Sequence, residues 1–310
     1  MKDIYKGRRL VVSHNPHSSR ASEVQQHVFD KLDAAGYTYT TIEVQQAHLD
    51  DNVARLAPLI QPGDIVLSAA GDGSAHATAH AVMAANQPGV ELGFLAFGNF
   101  NDLPNTLNTK ATLRDPVAFL DHATPQDIWP IDVLVNGQRQ RSALLYATAG
   151  WTASAAGQFD NPKVRHSITH GGAGVFKSLW RAGWYYLCSR RSSRLPMFDY
   201  QGVQYRATDL LYANGPAVAR LFKTGQRYYA QPNFLFRILD VRWLLPNTPF
   251  LIKGLLGRMN GRAVSSAAVQ FAEPSTLKLQ CDGEVFDVAQ VTSLEVRKVE
   301  KPLTILTTLA

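Results

Sequence analysis

The run Asp64-Ile65-Val66-Leu67-Ser68-Ala69 leads straight into Gly71-Asp72-Gly73-Ser74 and then an Ala-rich stretch from Ala75 to Ala85. A short apolar strand, a glycine-rich turn and a helix in immediate succession form the basic junction of an open α/β sheet, which places its ligands outside the C-terminal ends of its strands. The flanking residues repeat the pattern. Arg9-Leu10-Val11-Val12 reads as a strand, and Ala21 to Ala35 as a helix closed by Gly36. Tyr37 to Val44 is a second, β-branched and aromatic strand. A helix follows from about Asp51 to Ile60 before Pro62-Gly63, and Glu91 to Phe97 is another strand. Strands alternating with helices predict a parallel-sheet, Rossmann-like three-layer α/β domain over residues 1–125.

Near residue 125 the pattern changes. Ile128 to Val135 stops at Asn136-Gly137, a strong hairpin signal, and Ser142 to Thr148 is the expected return strand. Further strand-like runs lie at 205–213, 227–231, 264–271, 275–281 and 285–288, while helical periodicity is confined mostly to Gly174–Arg190. Residues 126–300 are therefore expected to form a predominantly antiparallel β-sandwich. Residues 301–310 form a C-terminal segment expected to pack back on the first domain.

A chain of 310 residues has room for two domains, and 45% hydrophobic with 18% charged residues excludes a disordered protein. The formal net charge of +6 favours an acidic partner: a nucleotide, an anionic membrane or a nucleic acid. No nucleic-acid recognition motif is present, so the third is set aside. Cys188 and Cys281 are the only cysteines. They imply no disulfide framework and fit a reducing, cytoplasmic setting. The apolar stretch after the basic N-terminal residues is only Leu10 to Val12, too short for a secretory leader. No apolar run reaches the roughly 18 residues of a membrane span, so a soluble or peripheral protein is expected.

Three loops of the first domain carry the chemistry. Ser13-His14-Asn15-Pro16-His17-Ser18-Ser19 follows the first strand, Ala70-Gly71-Asp72-Gly73-Ser74 the third, and Ala96-Phe97-Gly98-Asn99-Phe100-Asn101-Asp102 the fourth. Glycines let backbone N–H groups approach a phosphate, and a helix start adds its partial positive charge. An Asp beside phosphates can hold Mg²⁺, usually with waters retained. Each loop alone is an ordinary βα turn; three at successive strand ends point to a phosphate-bearing ligand.

In order and spacing these loops resemble those of the diacylglycerol kinase catalytic family, a group that includes sphingosine kinases and bacterial lipid kinases and is related to NAD kinases. Asn15, Pro16 and Ser18 match its Asn-Pro-x-Ser-Gly loop. Gly71, Asp72 and Gly73 match its Gly-Gly-Asp-Gly-Thr loop, with Ser74 in place of Thr. Gly98, Asn101 and Asp102 match the third loop. In the second half, Ile131-Asp132-Val133 with Asn136-Gly137, Ala149-Gly150-Trp151, Trp184-Tyr185-Tyr186-Leu187 and Asp282-Gly283-Glu284 extend the likeness. The resemblance implies an ATP- and Mg²⁺-dependent kinase acting on a lipid hydroxyl. Asn15, Ser18, Gly71, Asp72, Gly73, Ser74, Gly98, Asn101 and Asp102 would bind nucleotide, Asp72 would hold Mg²⁺, and Asp282 would be the general base. Read locally, Asp282-Gly283 is equally a tight hairpin turn.

The pattern departs from the family at Ala70, at Ala77 where a Glu is expected, and at Asn99 and Phe100 in the third loop. It departs again at Pro216-Ala217-Val218 after Asn214-Gly215, and at Phe236-Arg237 where Asp-Gly is expected. Two alternatives follow: a relative that binds nucleotide or lipid without turnover, and a kinase acting on a soluble acceptor such as NAD. Aromatic and apolar residues interleaved with cations in Gly174–Leu187, and again from Trp243 to Arg258, suit a lipid substrate and peripheral contact with an anionic membrane. A homodimer is left open. His76/His80 has a zinc-like i, i+4 spacing without a third ligand, and His166/His170 is an equally thin pair.

Overall fold

A computed structural model describes residues 7–45, 48–98, 101–157, 184, 188, 194–218, 222–240, 242, 252–254 and 256–309. The chain packs as two units, Met1–Ile128 with Lys301–Ala310, and Trp129–Glu300. The expected helix at Gly174–Arg190, and Asn99 and Phe100, lie outside the described residues apart from Trp184 and Cys188.

The first unit runs β1 (Leu10–His14), α1 (Ala21–Val24), a π-turn (Gln25–Phe29), α2 (Asp30–Ala34), β2 (Tyr39–Glu43), α3 (Leu49–Leu56), β3 (Ile65–Ala70), α4 (Asp72–Ala85), β4 (Glu91–Ala96), α5 (Asp102–Leu107), α6 (Pro116–His122) and β5 (Thr124–Ile128). All six residues of β3 are buried, as expected of a parallel strand covered on both faces. Gly36 closes α2 in the left-handed region (φ 73), with Tyr37 N–H returning to Leu32 O at 2.9 Å. That closure is why the helix stops where the glycine predicts. The sheet order is β2-β1-β3-β4-β18-β5, where β18 is the C-terminal strand Leu303–Thr307. β18 runs parallel to β4 and antiparallel to β5, so the end of the chain completes the first sheet. Leu10, Val12, Val28, Leu32, Leu67, Phe119 and Leu306 share its core.

The second unit runs β6 (Ile131–Val135), β7 (Gln138–Ala143), β8 (Tyr146–Gly150), α7 (Trp151–Gly157), β9 (Phe198–Tyr200), β10 (Val203–Tyr205), β11 (Asp209–Ala213), β12 (Ala217–Val218), β13 (Phe222–Lys223), β14 (Phe234–Leu239), β15 (Arg262–Val264), β16 (Ser266–Cys281) and β17 (Glu284–Lys298). Ten of these strands form one sheet with antiparallel pairing, β15-β14-β11-β8-β16-β17-β6-β7, with β9 on β16 and β10 on β9. Register shifts between Gln270 and Ser275, and again before Leu277, bend the long β16/β17 ribbon. Its inward faces enclose Ile131, Val133, Phe198, Tyr212, Phe234, Leu279 and Val296.

Several expected strands come out differently: the run at 205–213 is broken between β10 and β11, and the runs at 264–271 and 275–281 join in the single strand β16. The stretch Ser142–Thr148 is split into the end of β7 and the start of β8, because a carboxylate claims the backbone between them. Residues 227–231 hold a 3₁₀ turn, Tyr228–Ala230, rather than a strand. Its carbonyls serve distant donors: Tyr229 O accepts from Trp129 N–H at 2.7 Å, and Tyr228 O from Lys298 Nζ at 2.8 Å. Residues 285–288 are only the first part of a fifteen-residue strand. Among the described residues, no helix is long and apolar enough to cross a membrane.

Candidate functional site

In the first sheet β1 stands between β2 and β3, so the connections from β1 and β3 leave in opposite directions, and the loops after β1, β3 and β4 rise at neighbouring strand ends. That is the topological switch point at which open α/β sheets bind their ligands. The first loop is folded on itself. Asn15 Oδ1 accepts from His17 N–H at 2.9 Å, Asn15 O accepts from Ser18 N–H at 3.2 Å, and Ser18 O accepts from Ala21 N–H at 3.1 Å. The end of β1 is tied to α4 by Ser13 Oγ and Thr78 Oγ1, 2.7 Å apart, with Thr78 donating to Ser74 O at 2.9 Å. Burial pulls the His14 imidazole below its usual range, with Glu43 opposing weakly.

The second and third loops interlock. An added Cβ on Gly98 would lie 2.6 Å from Gly71 Cα, and one on Gly71 would lie 3.2 Å from Gly98 Cα. The two backbones therefore touch where side chains would hold them apart. Asp72, in the first turn of α4, spans the same junction: its Oδ2 accepts from Asn101 N–H and its Oδ1 from Asp102 N–H, both at 2.8 Å. Asn101 sits in the left-handed region (φ 54) ahead of α5. Its Oδ1 accepts from Gly98 N–H at 2.6 Å, and its Nδ2 donates to Gly98 O at 2.7 Å. Asp72, Gly98, Asn101 and Asp102 are thus one hydrogen-bonded unit, with Gly71 packed against Gly98. Gly73 and Ser74 belong to the first turn of α4, whose cap residue Gly71 supplies no side-chain hydrogen bond. The first N–H groups of a helix have no partner within it, and such groups suit an anion.

In the second unit Asp282 is buried, at 2% exposure, and lies in the left-handed region (φ 47) at the β16–β17 turn. Its carboxylate reaches the break between β7 and β8: Oδ2 accepts from Leu144 N–H at 2.5 Å, and Oδ1 from Leu145 and Tyr146 N–H at 2.8 and 2.9 Å. The carbonyls of that same break are also bonded. Leu145 O accepts from Asn214 and Gly215 N–H at 2.7 and 2.5 Å, and Leu144 O from Asn214 Nδ2 at 2.7 Å. Asn214 Oδ1 in turn accepts from Lys298 Nζ at 2.6 Å. Burial draws the Lys298 ammonium down to about 7, while its Nζ faces three oxygens, on Asn214, Trp129 and Tyr228. Asp282 and Asn214 were readable in the sequence as positions. Lys298, a single cation near the end of a strand, carries no local signal.

Asp209 is fully buried on β11 and accepts from Thr152 N–H at 2.6 Å and Thr208 Oγ1 at 3.0 Å, fixing the start of α7. Burial pushes its carboxyl up to about 6. A carboxyl raised above its unfolded value of 3.8 contributes stability that is complete below about pH 4 and is lost as pH rises through 6. Asp209→Asn is therefore expected to be more stable than the native chain at pH 8, by on the order of 1–3 kcal/mol, and indistinguishable from it near pH 4. Urea unfolding at the two pH values measures the difference.

Residues 9–135 match the family described as the diacylglycerol kinase catalytic domain. A search of curated proteins finds no match. Among solved structures the chain is similar to a provisionally named diacylglycerol kinase from Bacillus anthracis str. Sterne, at 14% identity over 98% of this chain and 99% of that one, with a TM-score of 0.63. A structure of a diacylglycerol kinase from the same source aligns over 97% of both chains at 14% identity, with a TM-score of 0.64. The likeness covers both units, so the fold of the α/β unit and of the antiparallel unit is that of these structures.

Proposed function

Because residues 9–135 belong to the diacylglycerol kinase catalytic-domain family, we propose that this chain transfers the terminal phosphoryl group of ATP to a hydroxyl of diacylglycerol or a related lipid. The observation that carries the reading is the Gly71–Gly98 contact bridged by Asp72. Phosphoryl transfer asks a protein mainly for positioning and charge stabilisation. A floor of backbone from two strand ends, beside the uncapped first turn of α4, supplies N–H donors at fixed spacing. Asp72 holds the third loop against the second, and Asn15 and Ser18 border the same sheet edge.

Asp72 would hold Mg²⁺ through the lone pairs left on its two oxygens, since each already accepts a backbone N–H, from Asn101 and from Asp102. Among the described residues no three His, Cys, Asp or Glu side chains cluster. One or two carboxylates plus substrate phosphates is how this ion is ordinarily held, and Asp72 is the carboxylate at the phosphate floor. When bound, Mg²⁺ neutralises charge on the phosphate oxygens. The chain's own contribution is to orient the phosphates and exclude water.

For Asp282 two roles compete. The family likeness makes it the general base, taking the acceptor's proton late in transfer. Its geometry favours a second role, as a brace for Leu144–Tyr146, because three backbone N–H groups already occupy its two oxygens. The protein is proposed to work on the cytoplasmic side, at the membrane surface where its acceptor resides.

The test is transfer from radiolabelled Mg·ATP to dispersed diacylglycerol, ceramide, sphingoid base, monoacylglycerol and NAD. A labelled lipid product supports the proposal. Labelled NAD alone would move the chain to the soluble-acceptor reading, and ATP binding without any product would make it a binding module.

A further inference from the structure

We propose that Ile252 and Leu256, with Lys253 and Arg258 beside them, form a docking tip for the surface of an anionic lipid bilayer. Ile252 and Leu256 are 50% and 71% exposed, two of the six large hydrophobic side chains that stand in solvent among the described residues. They stand one helical turn apart, with Leu256 N–H bonded to Ile252 O at 2.9 Å, so both project from the same face.

Their exposure is built in. Arg258 N–H returns to Lys253 O at 2.7 Å and closes the turn, with Gly257 in the left-handed region (φ 76). A Cβ on Gly225 would lie 2.3 Å from Gly257 O, so the turn is pressed against its neighbouring loop. Met259 is buried at 5% exposure, and its N–H bonds to Lys223 O at 3.0 Å. The stem is thus anchored while the tip holds two aliphatic side chains in water. Lys253 and Arg258 are exposed on the same turn, and Lys223, also exposed, lies against Gly257.

Charge and size select the occupant. A second copy of this chain would bring the same cations face to face across a two-fold contact. A stable protein interface buries about 800 Å² per partner, far more than two side chains supply. A few aliphatic groups inserted at the headgroup boundary beside basic residues is instead the pattern of peripheral membrane contact. The proposal draws its purpose from the lipid-kinase reading, but none of its evidence.

The experiment is co-sedimentation of the full chain, without nucleotide, with phosphatidylcholine vesicles and with vesicles that also contain phosphatidylserine. The native chain is expected to bind the anionic vesicles more tightly, and less so as salt rises. Ile252→Ser with Leu256→Ser should weaken that binding on the order of tenfold or more. Lys253→Glu with Arg258→Glu should weaken it about as much and flatten its salt dependence. All of these positions are exposed, so thermal unfolding monitors that each variant folds. Native-like binding by both variants would overturn the proposal. So would a native dimer that Leu256→Ser dissociates, or capture by an acidic protein that persists when anionic lipid does not bind. Phosphorylation of a short-chain acceptor dispersed as monomers should be equal in all variants. If no acceptor is phosphorylated yet vesicle binding follows the variants, the kinase reading fails and the docking tip stands.

Discussion

Asp282→Asn is expected to lower the stability of this protein by about 2–4 kcal/mol, a loss that a residue acting solely as a proton acceptor would not produce. The carboxylate accepts three backbone N–H bonds at 2.5–2.9 Å in a buried site. An amide has one oxygen to offer and turns its own N–H₂ toward at least one of those donors. A buried donor left without a partner costs about 1–3 kcal/mol. Asn tolerates the left-handed conformation at φ 47, so backbone strain does not account for the loss. For a unit of this size each kcal/mol moves the melting temperature by about 2–4 °C. Asp282→Ala, which strands all three donors, should be worse and is expected to compromise folding. Urea unfolding and turnover, measured well below the melting temperature, separate the two roles. If Asp282 is the base alone, Asn keeps native stability and loses about 10²–10⁴ in kcat. If it is the brace, stability falls first, and Asp282→Glu, which keeps a carboxylate but cannot seat it in the same place, is destabilised too. Unchanged unfolding of Asp282→Asn would end the bracing account.

The same residue shows how far the sequence could be followed. The alternation of apolar runs and helical stretches up to residue 125 is local information, and β1, β3, α4 and β4 lie within a few residues of where it puts them. The three loops were legible because glycines and strand ends mark them without reference to anything distant. Their interlocking was not. Nothing in Gly71-Asp72 says that the carboxylate will bond the amides of Asn101 and Asp102, thirty residues on. Likewise the Ser142–Thr148 stretch has the composition of a single strand, and only a carboxylate from residue 282 splits it. Tyr228-Tyr229-Ala230 has strand propensity, yet its carbonyls are claimed by Lys298 and Trp129, and the segment turns. Propensity and period report on neighbours in sequence. The contacts that join separate segments at the two candidate sites are between residues 27 to 138 positions apart.

Gly98→Ala should damage nucleotide-dependent turnover more than any other single methyl group added to the first unit's loops. The new Cβ would fall 2.6 Å from Gly71 Cα, 3.0 Å from Asn101 Oδ1 and 3.2 Å from Asp72 N. Carbon atoms in contact settle at about 3.5–4.0 Å, so the two loops must separate by roughly 1 Å. Two of the three obstacles are backbone atoms at the ends of paired strands, and they have no rotamer to change. Separation stretches the bonds from Asn101 and Asp102 to Asp72, which hold the proposed phosphate floor together. A displacement of about 1 Å in a positioning element costs on the order of 10²-fold in rate, and overpacking of this kind about 1–3 kcal/mol in stability. Gly71→Ala makes the graded control. Its Cβ would be 3.2 Å from Gly98 Cα, a contact relieved by a few tenths of an ångström, so its loss should be clearly smaller. The informative measurement is ATP affinity and kcat/KM for both variants beside their unfolding free energies. Gly98→Ala worse than Gly71→Ala in both kinetic terms, at comparable stability, ties the close approach of these two loops to phosphate handling. Native ATP affinity and turnover in Gly98→Ala would remove the loop pair from the site, and with it the observation on which the kinase proposal rests.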